Sequence, residues 1–252
     1  MGVLMDYNHE NIDAEVKIKL NTSEKLENFW YHYKWHTIAG LFAVICIVIL
    51  TFQLCTKTSY DVNILYAGEK SISTSSLTGG RSQYLMLTED FESVIDDFDN
   101  SGNVNVNLQK LYVLDAEQLK NALEGISDPM RKSQLEAAVQ EDRNTFYNSL
   151  MYGGYYLCLL SESLFFEYES MYEQSLFVNI TDYVSDGVEY EYATEHGIYI
   201  GSLGIYALET IGTLPENTVV CLRKPGALGQ REESDDYKRA ESTLKSILSY
   251  TK

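Results

Sequence analysis

The amino-acid sequence predicts an α/β fold that is carried on one N-terminal transmembrane helix. Residues 37–54 form an apolar run of eighteen residues without a charged side chain. Downstream of that run, short apolar segments typical of strands alternate with longer segments whose apolar residues recur at helical spacing. Such an alternation is typical of a mostly parallel sheet covered by helices, arranged here as one lobe or as two small lobes.

The apolar run is long enough to cross a bilayer as a helix. At about 1.5 Å per residue it extends roughly 27 Å, close to the ~30 Å hydrocarbon core of a membrane. Only a helix satisfies its own backbone polar groups in lipid, so the run is predicted to be helical. The expected divisions of the chain are a tail (1–22), a helix that includes the span (23–56), an extracytoplasmic α/β domain (57–230) and a C-terminal helix packed on that domain (231–252).

The residues just before the span favour a cytoplasmic N-terminus. They include a belt of aromatic residues and a lysine, which settle at the headgroup layer: Trp30, Tyr31, Tyr33, Lys34 and Trp35. Four lysines precede the span at short range and two follow it, and positive charge is retained on the cytoplasmic side. The alternatives are a buried helix of a soluble core and a cleaved signal peptide, which has a shorter apolar core nearer the N-terminus. We therefore expect a single-pass cell-membrane anchor with the C-terminal domain outside the cell.

The domain after the span is strongly acidic. The whole chain carries a formal charge of −18, and residues 1–36, with six acidic residues and four lysines, contribute only −2 of it. The remainder repels a phosphate backbone, so the composition argues against nucleic-acid binding. Cys158 and Cys221 lie in apolar segments and are interpreted either as small buried hydrophobes or as a pair, and two cysteines do not make a disulfide framework.

The first half of the domain is expected to contain two strands around one helix. Residues 60–68 predict a strand that ends at a glycine turn, and residues 71–81, rich in Ser, Thr and Gly, predict a loop. Apolar residues then recur at helical spacing over about 82–99. Alternating apolar residues from 104 to 114 predict the second strand.

The second half begins with helices and ends with a helix. Asp128 and Pro129 have the chemistry of a cap and a first-turn residue, and that helix is expected to stop at Gly153-Gly154. The other elements predicted in this half are a short helix at 115–123, apolar strands at 155–160 and 218–223, a helical piece from 161, a strand at 196–200 and a closing helix at 234–250.

This order of elements resembles the middle of type II periplasmic solute-binding proteins. In that class a long helix meets a small-residue break before a strand, and here Gly153-Gly154-Tyr155 stands at the break. Residues 190–200, followed by the strand at 218–223, resemble the late return crossing between the lobes. The chain also resembles uncharacterised single-span membrane proteins of Gram-positive bacteria, with an aromatic-Lys-Trp stretch entering the span. The resemblance covers residues 59–223 and implies solute binding, and it carries over no specific ligand residue.

Tyrosine is the dominant aromatic residue of the acidic domain. Seventeen of the 20 tyrosines follow residue 54, and a tyrosine offers both ring area and a hydroxyl group to a ligand. Half-buried tyrosines that cap strands and helix faces are the commoner explanation. On the binding hypothesis, a deep cleft is expected to be lined by Tyr66, Tyr155, Tyr156 or Tyr199.

One segment partly matches a calcium-binding loop. Asp97, Asp99 and Ser101 fit the first, third and fifth positions of the EF-hand loop. Leu108 stands where that loop needs a bidentate glutamate, so a polar turn between a helix and a strand is favoured over a metal site. His196 is the only histidine beyond the aromatic belt, which leaves zinc sites and catalytic triads without partners.

Three functions follow, in decreasing order of preference. The first is a membrane-anchored extracytoplasmic binding or accessory protein, with an unknown small ligand or a membrane-protein partner. The second is a structural or assembly subunit of a membrane complex without small-molecule binding. A surface hydrolase comes last, because an enzyme needs clustered titratable groups and the sequence shows none. We therefore expect no enzyme activity and no cofactor, and we expect residues 37–54 to contact the lipid bilayer.

Overall fold

The computed structural model describes residues 21–55, 60–76, 80–98, 100–171, 175–184, 189–226 and 234–251. The chain divides into two compact units, residues 1–58 and residues 59–252. The boundaries expected near residues 56 and 230 lie outside the described residues.

The first unit contains one continuous helix, α1 (Thr22–Cys55). Its segment Phe29–Phe52 has a mean hydropathy of 2.2 and none of it is buried against protein. Among the described residues this is the one helix long and apolar enough to cross a membrane, and a signal sequence has the same properties. The apolar N-terminal helix is thus confirmed. Around its start, the rings of Phe29 and Tyr33 stack with centroids 5.2 Å apart, while Trp30 and Trp35 are exposed.

The second unit is built on a six-stranded sheet. Its strands are β1 (Val62–Gly68), β2 (Val106–Tyr112), β3 (Leu157–Leu160), β4 (Tyr192–Thr194), β5 (Gly197–Tyr199) and β6 (Val219–Leu222). Their order across the sheet is β2-β1-β3-β6-β5-β4. The strand β1 pairs in parallel with β2 and with β3, whereas β3–β6, β6–β5 and β5–β4 are antiparallel.

This sheet confirms the α/β class and refines the expected topology. The prediction of a mostly parallel sheet holds for the half made of β2, β1 and β3. The other half is antiparallel because β4 and β5 form a hairpin and β6 returns beside β3 in the opposite direction. All six strands of the described residues lie in this one sheet, so a second lobe with a sheet of its own is not part of the described structure.

Five helices flank the sheet: α2 (Gln83–Glu92), α3 (Ala116–Glu124), α4 (Pro129–Tyr152), α5 (Glu162–Ser170) and α6 (Asp235–Ser249). Short 3₁₀ helices occupy Ile180–Tyr183, Ile200–Ser202, Gly204–Ala207 and Ile211–Thr213. The helix α4 begins where the sequence predicts, because the Asp128 side chain accepts a hydrogen bond from the backbone N–H of Met130 and Pro129 opens the first turn.

The two faces of the sheet bury different side chains. Alternate residues of β1 point to opposite sides, so Ile64 and Leu65 belong to separate apolar clusters. One cluster contains α2 and α6, and the other contains α4 and α5. The connection from β1 to β2 therefore runs over one face through α2, and the connection from β2 to β3 runs over the other face through α3 and α4.

The helix α2 is shorter than the sequence suggests, because a buried carboxylate shapes the chain that follows it. Asp61 is 1 % exposed. Its Oδ1 accepts a hydrogen bond from Phe98 N at 2.9 Å and its Oδ2 accepts one from Asn105 N at 2.8 Å. These bonds hold Phe98 and Asn105 beside the start of β1, so the chain leaves the helical path after Glu92 to enter β2.

Candidate functional site

A cleft of about 220 Å³ opens at the carboxyl ends of β1 and β3. We call it the carboxyl-edge cleft, and its lining includes Gly68, Glu69, Asp115, Ser161, Glu162 and Asn217. Because the connections on either side of β1 leave over opposite faces of the sheet, a crevice remains between the ends of β1 and β3. In open α/β sheets, ligands bind in the crevice at such a switch point.

One wall of the carboxyl-edge cleft is set by the start of α3. Asp115 Oδ1 accepts hydrogen bonds from the backbone N–H groups of Glu117 at 2.9 Å and Gln118 at 2.8 Å. The Gln118 side chain in turn accepts a hydrogen bond at its Oε1 from Asp115 N, completing a capping box. Its Nε2 donates to Glu69 Oε2 at 2.6 Å. The carboxylate of Glu69 is thereby held at the mouth of the cleft.

The opposite wall is the start of α5, which directly follows β3. Ser161 N donates to Ala67 O at 2.9 Å, which places this residue at the end of β1. Ser161 is the N-cap residue of α5, but its side chain makes no capping hydrogen bond. It lies 3.4 Å from the hydroxyl of Ser163 instead. The first N–H groups of α5 therefore keep their partial positive charge at the cleft.

Glu162 is the best-anchored acidic group of the site. Its Oε1 accepts a hydrogen bond from the Tyr199 hydroxyl, and its Oε2 accepts one from Asn217 Nδ2 at 3.1 Å. The hydrogen bond from Tyr199 to Glu162, the burial of the phenol and the negative charges of Glu162 and Glu191 raise the pKa of Tyr199 to about 12. The phenol therefore stays protonated at neutral pH and continues to donate to Glu162.

A second depression of about 320 Å³ adjoins the carboxyl-edge cleft and shares Glu162 and Asn217 with it. Glu191 and Glu216 also line it. No lysine or arginine is among the described residues that line either space. The combined surface presents carboxylates to solvent, together with hydroxyl and amide groups, so it suits a ligand that donates hydrogen bonds or carries positive charge.

Tyr66 forms part of the floor of the carboxyl-edge cleft. It is 2 % exposed, and its hydroxyl donates to Lys70 O at 3.2 Å. Burial, more than the nearby charge of Glu69, raises the pKa of this phenol well above its usual range. A Cβ atom at Gly68 would lie 3.2 Å from the Tyr66 hydroxyl and 3.6 Å from Ser161 Cβ. The glycine therefore keeps this part of the cleft open.

The four tyrosines named from the sequence as candidate ligand contacts lie at different places. Tyr66 lines the carboxyl-edge cleft and Tyr199 lines the adjoining depression. Tyr155 and Tyr156 precede β3, so the direction of that strand puts them at the opposite edge of the sheet. Tyr156 is buried in edge-to-face contact with Tyr237, with ring centroids 5.3 Å apart. Of the four candidates, Tyr66 and Tyr199 therefore lie at the carboxyl-edge cleft and the adjoining depression, and Tyr155 and Tyr156 lie at the other edge of the sheet.

The partial calcium-loop match forms a tight turn in the described residues. Asp97 Oδ1 accepts a hydrogen bond from Ser101 N at 3.2 Å, and Asp97 Oδ2 accepts one from Gly102 N at 2.8 Å. Asn100 and Gly102 have positive φ values of 55° and 85°, as polar turn residues do. Asp99 lies outside the described residues. Within the described part of the chain, no group of three or more His, Cys, Asp or Glu side chains is placed to hold a metal ion.

The acidic residues of the site were missed by the sequence reasoning, although a signal existed for two of them. Glu69 follows the glycine that ends β1, and Glu162 follows Ser161 at the end of β3. Polar residues directly after parallel strands point to the binding edge of a sheet. Glu191 and Asn217 had no such signal, because Glu191 precedes β4 and Asn217 lies between the last 3₁₀ helix and β6, so neither follows the end of a parallel strand.

No protein-family model, curated protein or solved structure matches the chain. The function is therefore argued from the geometry and chemistry of the site itself.

Proposed function

We propose that this protein is a membrane-anchored, extracytoplasmic binding protein that takes a small ligand in the carboxyl-edge cleft. The observation that carries this proposal is the coincidence of the β1/β3 crevice with a set of carboxylates fixed by hydrogen bonds. Glu69 is held by Gln118, and Glu162 is held by Tyr199 and Asn217. Fixed polar groups that converge on a crevice are the usual form of a small-molecule site.

The helix α1 supports the anchoring part of the proposal. Its apolar stretch matches a bilayer in length, and its exposed aromatic start matches the headgroup layer. Under this proposal the lipid bilayer surrounds residues 37–54, the N-terminus is cytoplasmic and the acidic unit is outside the cell. A strongly negative unit also stays in solution next to anionic lipid headgroups rather than lying on them.

The lining of the carboxyl-edge cleft selects the kind of ligand. Its carboxylates pair with an ammonium group, while the uncapped start of α5 and the serine hydroxyls provide for a polar or carboxylate end of the same molecule. A volume of about 220 Å³ is below the roughly 300–1,000 Å³ of sites for drug-sized ligands. We infer a small amine or zwitterion, bound in the manner of a solute-binding protein.

Binding is preferred to catalysis because, in the described part of the chain, no histidine or carboxylate is hydrogen-bonded to the hydroxyls of the cleft serines. Ser161 and Ser163 contact each other. The side chain of His196 instead lies 2.9 Å from Glu169 Oε1 and is tied to α5. Nucleophilic catalysis needs a base within hydrogen-bond reach of the nucleophile.

A thermal-shift experiment on the full chain in detergent tests the ligand assignment. Putrescine, alanine, glucose and succinate represent cationic, zwitterionic, neutral and anionic solutes. A ligand present at a hundred times its Kd adds about 2.7 kcal/mol. At about 2–4 °C per kcal/mol for a domain of this size, we expect a rise of roughly 5–11 °C for an amine-bearing probe.

Matched variants locate the effect. Glu162→Gln removes a cleft carboxylate and is expected to abolish the shift. Glu136→Gln makes the same charge change on the exposed surface of α4 and is expected to preserve the shift. An equal shift in both variants, or a shift with glucose or succinate alone, contradicts the assignment.

The second candidate function is an assembly subunit without a small ligand. It is favoured by the exposed aromatic and apolar side chains that α1 presents before the span, such as Leu26 and Trp30. If no probe shifts the melting temperature, and in-membrane cross-linking from residue 26 captures one defined membrane protein, this function replaces the binding proposal.

A further inference from the structure

Two cysteines face each other across the junction between the parallel and antiparallel halves of the sheet. Cys158 on β3 and Cys221 on β6 are direct register partners. Both are fully buried and both thiols are free. They share the apolar cluster between the sheet and the helices α4 and α5. Register partners point to the same face of a sheet, so the two side chains are neighbours.

The hydrogen bonding of the strands sets the spacing of this pair. Arg223 N donates to Tyr156 O at 2.8 Å, which makes these two residues a hydrogen-bonded pair. Hydrogen-bonded pairs recur at every second position of an antiparallel ladder, so Cys158 and Cys221 form the next one. Cα atoms in such pairs are about 5.5 Å apart, within the roughly 4.4–6.8 Å that a disulfide spans. Cys221 Sγ lies 3.8 Å from Cys158 O, so the Cys221 thiol is in direct contact with Cys158.

The same spacing makes a disulfide at this position strained. Cβ atoms directly opposite each other are about 4.5–5.5 Å apart and are closer in pairs without hydrogen bonds. A disulfide requires about 3.5–4.5 Å. The two strands must therefore approach slightly for the bond to form, and strained disulfides are the more easily reduced ones.

We propose that Cys158 and Cys221 are a reversible oxidation site, where a small disulfide such as oxidised glutathione converts the two thiols into a cross-strand disulfide. One cysteine loses its proton and attacks a sulfur of glutathione disulfide, which releases one glutathione thiolate. The second cysteine then loses its proton and attacks the mixed disulfide, which releases the second glutathione. Two electrons and two protons pass from the protein to the oxidant.

Burial controls when this reaction happens. Desolvation raises the pKa of the Cys221 thiol, and the neighbouring Cys158 raises it further. The thiolate is the attacking species, so the folded state reacts slowly and the bond forms when β3 and β6 open locally or during folding.

The bond links the two ends of the chain segment that carries much of the site. Residues 159–220 contain Glu162 of the carboxyl-edge cleft, Tyr199 of the adjoining depression and Asn217, which is shared by both. Closing this loop restricts the unfolded chain, so the oxidised protein is expected to melt at a higher temperature than the reduced protein. The inference rests on the β3–β6 register and is independent of the ligand proposal.

The test uses the full chain in detergent with Cys46→Ala and Cys55→Ala, which leaves only the two cysteines in question. The protein is unfolded in urea and refolded in glutathione buffers of increasing oxidised fraction. The reaction is quenched in acid, and the protein is then denatured in the presence of a maleimide reagent that labels its remaining thiols. The expected result is a loss of both maleimide-reactive thiols, a peptide pair joined through Cys158 and Cys221 in mass spectra, and full recovery of the thiols with dithiothreitol.

Single-cysteine variants provide the control. Cys158→Ala and Cys221→Ala are expected to retain one thiol or to carry one glutathione, without the joined peptides. The proposal is overturned if the refolded two-cysteine protein keeps two reactive thiols at every glutathione ratio. It is also overturned if the joined peptides appear only while the protein is held in urea, because refolding then excludes the bond.

Discussion

Arg223 provides the sharpest test of how the return strand β6 is held. Its side chain is fully buried at the end of β6. It donates from Nε to Tyr155 O at 3.1 Å, from one terminal nitrogen to Gly153 O at 2.8 Å, and from the other to Lys224 O at 3.2 Å. Its guanidinium carbon lies 4.7 Å from the centroid of the Tyr156 ring. One charged group therefore ties the turn between α4 and β3 to the end of β6.

The substitution Arg223→Met keeps much of the side-chain volume and removes the donors. Leaving a buried carbonyl without its donor costs about 1–3 kcal/mol. Of the three carbonyls affected, those of Gly153 and Tyr155 belong to half-buried residues and that of Lys224 belongs to an exposed residue, so the first two bear most of the cost. Removing a buried charge relieves a desolvation penalty of several kcal/mol. That penalty lowers the pKa of Arg223, although the group stays charged. We expect a net loss of about 3 kcal/mol, which corresponds to a fall of roughly 6–12 °C in melting temperature.

Near-ultraviolet circular dichroism of the full chain in detergent measures this melting temperature from the buried tyrosines. Arg239→Met is the matched control, because Arg239 is only half-buried and makes one exposed hydrogen bond, to the carbonyl of Tyr60 at 3.0 Å. The control is expected to melt within about 2 °C of the unmodified protein, as surface substitutions usually do. If Arg223→Met melts as high as Arg239→Met, the guanidinium does not hold β6 to β3.

Two further predictions concern the chain around the 3₁₀ helices and the site. A Cβ atom at Gly204 would lie closer to the backbone oxygen of Tyr250 than van der Waals contact allows, so Gly204→Ala is expected to lower the melting temperature. Gly80→Ala is the control, because nothing lies within 4 Å of the added atom, and it is expected to leave the melting temperature unchanged. The pKa of Tyr199 is raised to about 12 in the folded state, against about 10 in the unfolded chain. The stability from this group is therefore fully present below about pH 10 and is lost as the pH rises toward 12. Melting temperatures measured across this window are expected to fall less steeply in Tyr199→Phe, and an unchanged slope would show that Tyr199 does not carry the effect.

The sequence was most informative where one physical requirement acts over many adjacent residues. Three elements were predicted from their own residues alone: α1 from its uncharged run, β3 from its apolar segment and α4 from its capping residue. Strand direction depends on where the chain returns, which no local pattern encodes. Thus β6 was recognised as a buried strand, but its antiparallel pairing with β3 was not. Residues 201–213, which contain 3₁₀ helices, show no repeating apolar period, so the sequence assigns this segment neither to a helix nor to a strand.

The site was predictable only in part for the same reason. Tyr66 and Tyr199 were expected and do line the cleft and the depression. Tyr155 and Tyr156 were also candidates because the prediction considered only that they are tyrosines and not the direction of β3, which puts them at the other edge of the sheet. Glu69 and Glu162 were within reach of sequence reasoning, since both directly follow the ends of apolar strands that were identified. Their partners Gln118 and Asn217 became visible only once the chain was folded.

The most direct test of the account is the side of the membrane on which the acidic unit lies. Two variants carry a new cysteine at an exposed position, Ser23→Cys before the span and Ser133→Cys on α4, with Cys46 and Cys55 replaced by alanine. A membrane-impermeant maleimide is added to intact cells and to permeabilised cells. The account predicts that Ser133→Cys is labelled in intact cells and that Ser23→Cys is labelled only after permeabilisation. Labelling of Ser23→Cys alone in intact cells would place the acidic unit in the cytoplasm and contradict the account.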